Sequence, residues 1–152
     1  MRKSRRWNTK DLTAKRQPAG SSRMTAAKYA RSTIEETDIQ QALIEELGFY
    51  KYQGKPLLDY IYAIPNGGHR SISVAKRLKA EGVKPGVPDL HCFIACPPYH
   101  SLYIEMKTER GTLSDHQNEV IPLLREQGHK VVVCRSQAQA KTELFKYLGI
   151  SQ

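Results

Sequence analysis

"GVPDLHCFIACPPYHSLYIEMKTERG", residues 86–111, sets two apolar runs beside three charges, Asp89, Glu105 and Lys107. Both runs read as strands, "DLHCFIA" and "SLYIEMK", with "PPYH" turning the chain back between them. Only about five residues separate them, so an antiparallel hairpin is the natural connection. Asp89 opens the first strand and Glu-x-Lys closes the second. Buried charge is costly unless it is paired or binds a metal. The three charges therefore either meet in a site at the strand ends or form an ordinary ion pair on a solvated face. Residues two apart in a strand share a face, about 6.6–7 Å apart. Glu105 and Lys107 thus lie together, while Ile104 and Met106 point into packing. Pairing the two strands brings Asp89 beside Glu105, with Lys107 a step farther on.

Working outward, "EETDIQQALIEELGFY" repeats Ile39, Ala42, Leu43 and Leu47 at helical spacing. Ser32 or Thr33 is the expected cap, Glu35 and Glu36 fall in the first turn, and Gly48 ends the helix. A turn containing Gly54 and Pro56 precedes "LLDYIYAIPN", which reads as a strand broken by Asn66, Gly67 and Gly68. "SISVAKRLKAEG" is a short helix closed by Gly82. Ser114 caps "DHQNEVIPLLREQG", a helix that Pro122 is expected to kink or divide. "HKVVVCRS" is a strand and "QAQAKTELFKYLG" a last helix. The order α-β-α-β-β-α-β-α predicts a mixed α/β fold with a central antiparallel hairpin and helices on both faces.

The chain of 152 residues fits one domain of ordinary size. Its formal charge of +9 is confined to one end. Residues 1–31 hold ten Lys or Arg (among them Arg2, Lys3, Arg5 and Arg6) against Asp11, whereas from Ser32 onward 14 basic residues balance 14 acidic ones. Residues 1–33 therefore read as a flexible basic arm, poor in branched apolar residues, and 34–152 as the folded domain. Salt-sensitive phosphate binding is the functional reading of the arm, and a solubilising or targeting tail is the other. Trp7 among the arginines offers a stacking surface for a base. No apolar run is long enough to span a membrane, and the basic N-terminus lacks the apolar stretch of a secretory signal. Three cysteines without framework spacing point to reduced thiols and an intracellular, cytoplasmic setting.

Two carboxylates and one ammonium suit metal-assisted phosphodiester hydrolysis. Mg²⁺ takes hard oxygen ligands and keeps several waters, so one or two carboxylates and the scissile phosphate suffice. The ion acidifies a water and offsets charge developing on the phosphate. A lysine beside it positions or deprotonates that water and attracts the anionic substrate.

"GVPDL" with "LYIEMKTERGTLSDHQ" and "GHKVVVCRS" resembles the PD-(D/E)XK nuclease superfamily, and within it the VRR-NUC branch, the virus-type replication-repair nucleases. The likeness runs from about Glu36 to Ser136. It implies a restriction-endonuclease-like core and a Mg²⁺-dependent DNA endonuclease, with Mn²⁺ as a substitute and no small-molecule cofactor. It also implies a homodimer acting on branched, Holliday-junction-like, or flapped DNA, in a phage or bacterial setting. By the same resemblance Asp89 and Glu105 are metal ligands, Lys107 is the catalytic lysine, and the Met106 carbonyl is a further ligand. "ETDIQ" places the family's first-helix glutamate at Glu36, and "SDHQ" its glutamine at Gln117. From the residues alone, Glu36 is equally a first-turn helix charge and Gln117 a helix-surface amide.

Other features compete for attention. His91, Cys92, Cys96 and His100 invite a zinc site, but in a strand Cys92 and Cys96 lie about 13 Å apart, so core cysteines are expected. His91 either borders the charged patch or is a satisfied strand histidine. In "IPNGGHR", Asn66 and Arg70 are candidate phosphate contacts on a glycine-rich turn, with His69 beside them. Lys76, Arg77, Lys79 and Lys84 form a smaller basic run. The rival readings are a non-catalytic nucleic-acid-binding module relying on the arm, and a nicking or end-processing nuclease of the same chemistry. An RNA-binding surface using Tyr60 and Tyr62 on one strand face is a third.

Overall fold

Alanine, lysine and arginine are strong helix formers, and "AAKYAR" carries the first helix back beyond its expected start. In the computed structural model, which describes residues 26–65 and 72–151, α1 spans Ala26–Leu47. The boundary expected between residues 33 and 34 therefore falls inside a helix. Ser32 and Thr33 stand within it rather than capping it, and Glu36 is well past its first turn. Gly48 donates to the Ile44 and Glu45 carbonyls where the helix ends.

Gln53 and Gly54 both have positive φ, 49° and 81°, the geometry that closes a two-residue hairpin. They join β1 (Lys51–Tyr52) to β2 (Lys55–Pro56), a small antiparallel pair where only a turn was expected. The strand expected over "LLDYIYAIPN" divides. Leu57–Tyr60 is a 3₁₀ turn that buries Leu57, and only Ile61–Ala63 forms a strand, β3. Tyr60 packs edge-on against Tyr52 and tilted against Phe93, whereas Tyr62 lies on β3 beside His91. A shared tyrosine platform is thereby lost. Helix α2 spans Ile72–Ala80 and is closed by Gly82 at φ 91°.

Strand β4 is Leu90–Cys92 and β5 is Leu102–Met106. The connection between them, residues 93–101, is longer than expected because the chain leaves the sheet early. The Tyr147 hydroxyl donates to the Ile94 carbonyl and accepts from the Cys96 amide, tying this segment to the last helix. Helix α3 (Asp115–Glu126) runs unbroken through Pro122. Proline costs the bond to the Asn118 carbonyl, and both residues are exposed to solvent. Strand β6 (Lys130–Cys134) and helix α4 (Gln137–Leu148) complete the chain, α4 ending at left-handed Gly149.

The main sheet has the order β3-β4-β5-β6. β4 pairs antiparallel with β3 and β5, and β6 lies parallel to β5. The expected central antiparallel hairpin is present in a mixed sheet. One face carries Ile61, Leu90, Cys92, Leu102, Ile104, Met106 and Cys134 into a core with Leu43 and Leu47 of α1 and Leu144, Phe145 and Leu148 of α4. Cys92 and Cys134 are thus core residues, and burial raises each thiol to about 11. On the opposite face the register sets Tyr62, His91, Tyr103 and Val131 in one row, with Glu105 in the next. Helix α3 buries Val120 and Ile121 outside that core cluster. Among the described residues, no helix is long and apolar enough to cross a membrane.

Candidate active site

The register pairs Leu90 with Ile104, so the next position along sets Asp89 against Glu105. Asp89 Oδ2 accepts from the Met106 amide at 2.8 Å, which fixes one carboxylate beside the other. Glu105 is fully buried at the end of β5, and Lys107, 7% exposed, follows it. The Lys107 amide donates to the Cys134 carbonyl, so β6 still holds the backbone one residue past the end of β5. The Lys107 ammonium lies 2.5 Å from Glu105 Oε1, 3.2 Å from the Met106 carbonyl oxygen and 3.4 Å from Glu36 Oε2. Glu36 Oε1 also accepts from the Thr108 amide at 3.4 Å. Glu36 is therefore a partner of the β5 terminus across 71 residues of chain, not a first-turn charge.

Gln117 does more than a helix-surface amide would. Its Oε1 accepts from the Ser114 amide at 2.8 Å while Ser114 Oγ accepts from the Gln117 amide, a capping box. Its Nε2 donates to Glu105 Oε1. Both ends of the amide are thus fixed, which orients the Glu105 carboxylate. The loop bearing Asp89 reaches α3 through Gly86, at φ 87°, where a Cβ would stand 2.4 Å from the His116 carbonyl. Only glycine allows that approach.

Sequence reasoning missed Arg135, whose Nη1 donates to the carbonyls of Thr108, Glu109 and Gly111 at 2.7–3.0 Å. One guanidinium nitrogen gathers the loop that follows Lys107. An arginine after a buried strand carries no pattern that announces this. His91 is held by the Tyr62 hydroxyl at Nδ1 (2.7 Å) and stacks on Tyr103 at 4.3 Å, while its buried Nε2 has no partner. Arg2, Lys3, Arg5, Arg6, Asn66 and Arg70 lie outside the described residues.

Burial raises the Glu105 carboxyl to about 7, with Asp89 adding to the rise and Lys107 opposing it. Burial likewise raises Asp89 and Glu36. At Lys107 burial works to lower the pKa, but Glu105, Glu36 and Asp89 together outweigh it and leave it raised. The lysine is a firmly held cation in this arrangement. Among the described residues no three His, Cys, Asp or Glu side chains are grouped closely enough to hold an ion as they stand. Even so, the donor set fits a hard cation. Glu105 Oε2 is buried without a hydrogen-bond partner, and three carboxylates with raised pKa values share a single ammonium. Added positive charge relieves both deficits.

The chain matches the VRR-NUC domain family over residues 24–138. The match begins ahead of α1 and takes in every element that supplies the site. Fold, site and match together define a nuclease-type domain. A solved structure described as "VRR_NUC domain protein" is 31% identical, with a TM-score of 0.62, over 77% of this chain and 95% of its own. No curated protein matches the chain. The chain belongs to the VRR-NUC family.

Proposed function

We propose that this protein is a Mg²⁺-dependent DNA endonuclease with a restriction-endonuclease-like core, hydrolysing phosphodiester bonds in branched or flapped DNA. The observation that carries the reading is the placement of Asp89 and Glu105 side by side at the ends of β4 and β5, with one buried Glu105 oxygen unpartnered. Asp89, Glu105 and the Met106 carbonyl would hold the ion, with Glu36 contributing. Mn²⁺ would serve as well, since both ions take oxygen ligands. A bound divalent ion supplies Lewis acidity at the phosphate and makes a water acidic enough to attack near neutral pH.

The chain's own groups supply the rest. Gln117 orients Glu105 through Nε2, and the Met106 amide orients Asp89. The raised pKa of Lys107 favours the charged form. Its role is therefore to draw in the scissile phosphate and stabilise charge developing on it, rather than to take a proton from water. The arm would add sequence-independent phosphate contacts, and a homodimer would present two such sites to a branch point.

The test is cleavage of labelled single-stranded, duplex, flapped and four-way-junction DNA in Mg²⁺ or EDTA, by wild type and Lys107→Ala. Cutting that requires Mg²⁺ and falls at least about 10²-fold in Lys107→Ala, with DNA binding retained, is the expected result. Tight, salt-sensitive binding with no cutting by the wild type in Mg²⁺ or Mn²⁺ would leave the binding module instead. Light scattering of the protein alone and on a junction tests the dimer.

A further inference from the structure

Three oxygen atoms from three residues surround the Lys107 ammonium: Glu105 Oε1, Glu36 Oε2 and the Met106 carbonyl. They belong to three of the four residues named above as holders of the divalent ion. An ammonium has three donors and no acceptor, and here each donor has an oxygen within reach inside a pocket that leaves Lys107 7% exposed. Chemically this is a coordinated monovalent cation. We propose that Lys107 is the resident cation of the site, holding the metal's ligands together until a divalent ion displaces its ammonium. The inference rests on the nuclease reading above.

Electrostatics supports it. Without an internal cation, buried Glu105 and half-buried Asp89 and Glu36 would converge with only amide donors to offset their charge, which is unfavourable. A divalent ion and the ammonium cannot both stay on the same oxygens, because buried like charges repel strongly at contact distances. The loop after Lys107 packs closely on its stem: a Cβ on Gly111 would stand 3.2 Å from Lys107 Cδ and 3.0 Å from Thr108 Oγ1. Arg135 holds that loop in place through the carbonyls of Thr108, Glu109 and Gly111.

Two consequences follow from exchanging one cation for another. A singly charged ion gains little over the tethered ammonium it would replace, so Lys107 selects for divalent ions. The displaced ammonium becomes available to a phosphate only once the ion has entered, so loading the site and arming the lysine are one event.

Calorimetric titration of Mn²⁺ into the full chain tests this, comparing wild type with Lys107→Met. The expected result is at least about tenfold tighter binding by the variant, equivalent to about 1.4 kcal/mol, because the ion no longer competes with a tethered cation. Equal or weaker binding by the variant overturns the inference and leaves the nuclease reading standing. Binding by neither protein removes the metal site itself, and both readings with it. Should Lys107→Met fail to fold, the wild type alone decides. Reductive methylation followed by mass spectrometry reports how accessible Lys107 is, with exposed Lys51 as the internal standard. Mg²⁺ is expected to speed labelling of Lys107 severalfold relative to Lys51. Labelling that Mg²⁺ leaves unchanged or slows overturns the displacement.

Discussion

Glu105 and Lys107 approach to 2.5 Å, and so do Glu46 and Lys141, yet the two carboxylates respond in opposite directions. Glu46 sits between α1 and α4 with about a quarter of its side chain exposed, and its pKa is lowered, chiefly by the hydrogen bond from Lys141. Gln137 Nε2 donates to its second oxygen at 2.7 Å, so both oxygens have donors. Glu105 is wholly buried, its second oxygen has none, and burial drives its pKa up to about 7. The pairs are alike in contact and differ in solvation. Water beside Glu46 makes its charge inexpensive, and the pair serves as a clasp between helices. At Glu105 the charge is held at a cost that only further positive charge can lower.

The largest expected effect comes from removing the buried member. Because folding raises the Glu105 pKa, the folded protein holds that proton more firmly than the unfolded chain. The resulting stabilisation is complete below about pH 4.5, the ordinary value for a glutamate, and is lost as pH rises through about 7. Metal-free protein should therefore lose stability between about pH 4.5 and about pH 7, by no more than about 3 kcal/mol at 1.36 kcal/mol per pKa unit. Denaturant melts should show most of that slope gone in Glu105→Gln and intact in Glu46→Gln. A slope that survives in Glu105→Gln would mean the two pairs do not differ as described.

A second pair of variants sharpens the comparison by changing what touches Glu105. Gln117→Ala removes the capping box and the hydrogen bond to Glu105 together, and should cost about 1 kcal/mol or more in thermal or denaturant melts. Gln117→Glu keeps a residue suited to the capping box but sets a carboxylate against Glu105. It should retain the helix while moving the midpoint of the pH slope upward. A midpoint unchanged from wild type would show that Gln117 does not govern the ionisation of Glu105. The smallest effect belongs to the exposed clasp. Lys141→Met should lower the melting temperature slightly and leave the pH slope unmoved, and any change in that slope would couple two regions that the structure keeps apart.

Much of this was legible in residues 86–111. The alternation in "SLYIEMK" fixes which side chains enter the core, and the turn before it implies an antiparallel partner, so Asp89 falls beside Glu105 by register alone. The Ser114 cap was equally plain, because N-caps are local chemistry. What escaped depends on contacts distant in sequence. Nothing near Ile94 or Cys96 says that Tyr147 will draw the chain from the sheet early. Nothing in "VCRS" says that Arg135 will collect three carbonyls from residues 108–111. The helix start was misplaced for a different reason: Ser32 and Thr33 are good caps, but the alanines and basic residues before them favour helix strongly enough to continue through.

The approach at Gly86 acts as a latch. The loop leading to Asp89 is seated on the first turn of α3 with no room for a methyl group between them, and that same turn carries Gln117 onto Glu105. Lifting the loop by the width of one carbon would draw Asp89 off the Met106 amide and disturb the hold on Glu105 in a single movement. The two carboxylates are thus geared together mechanically as well as electrically. A wedge in this hinge would dismantle the acidic patch without altering any charged residue.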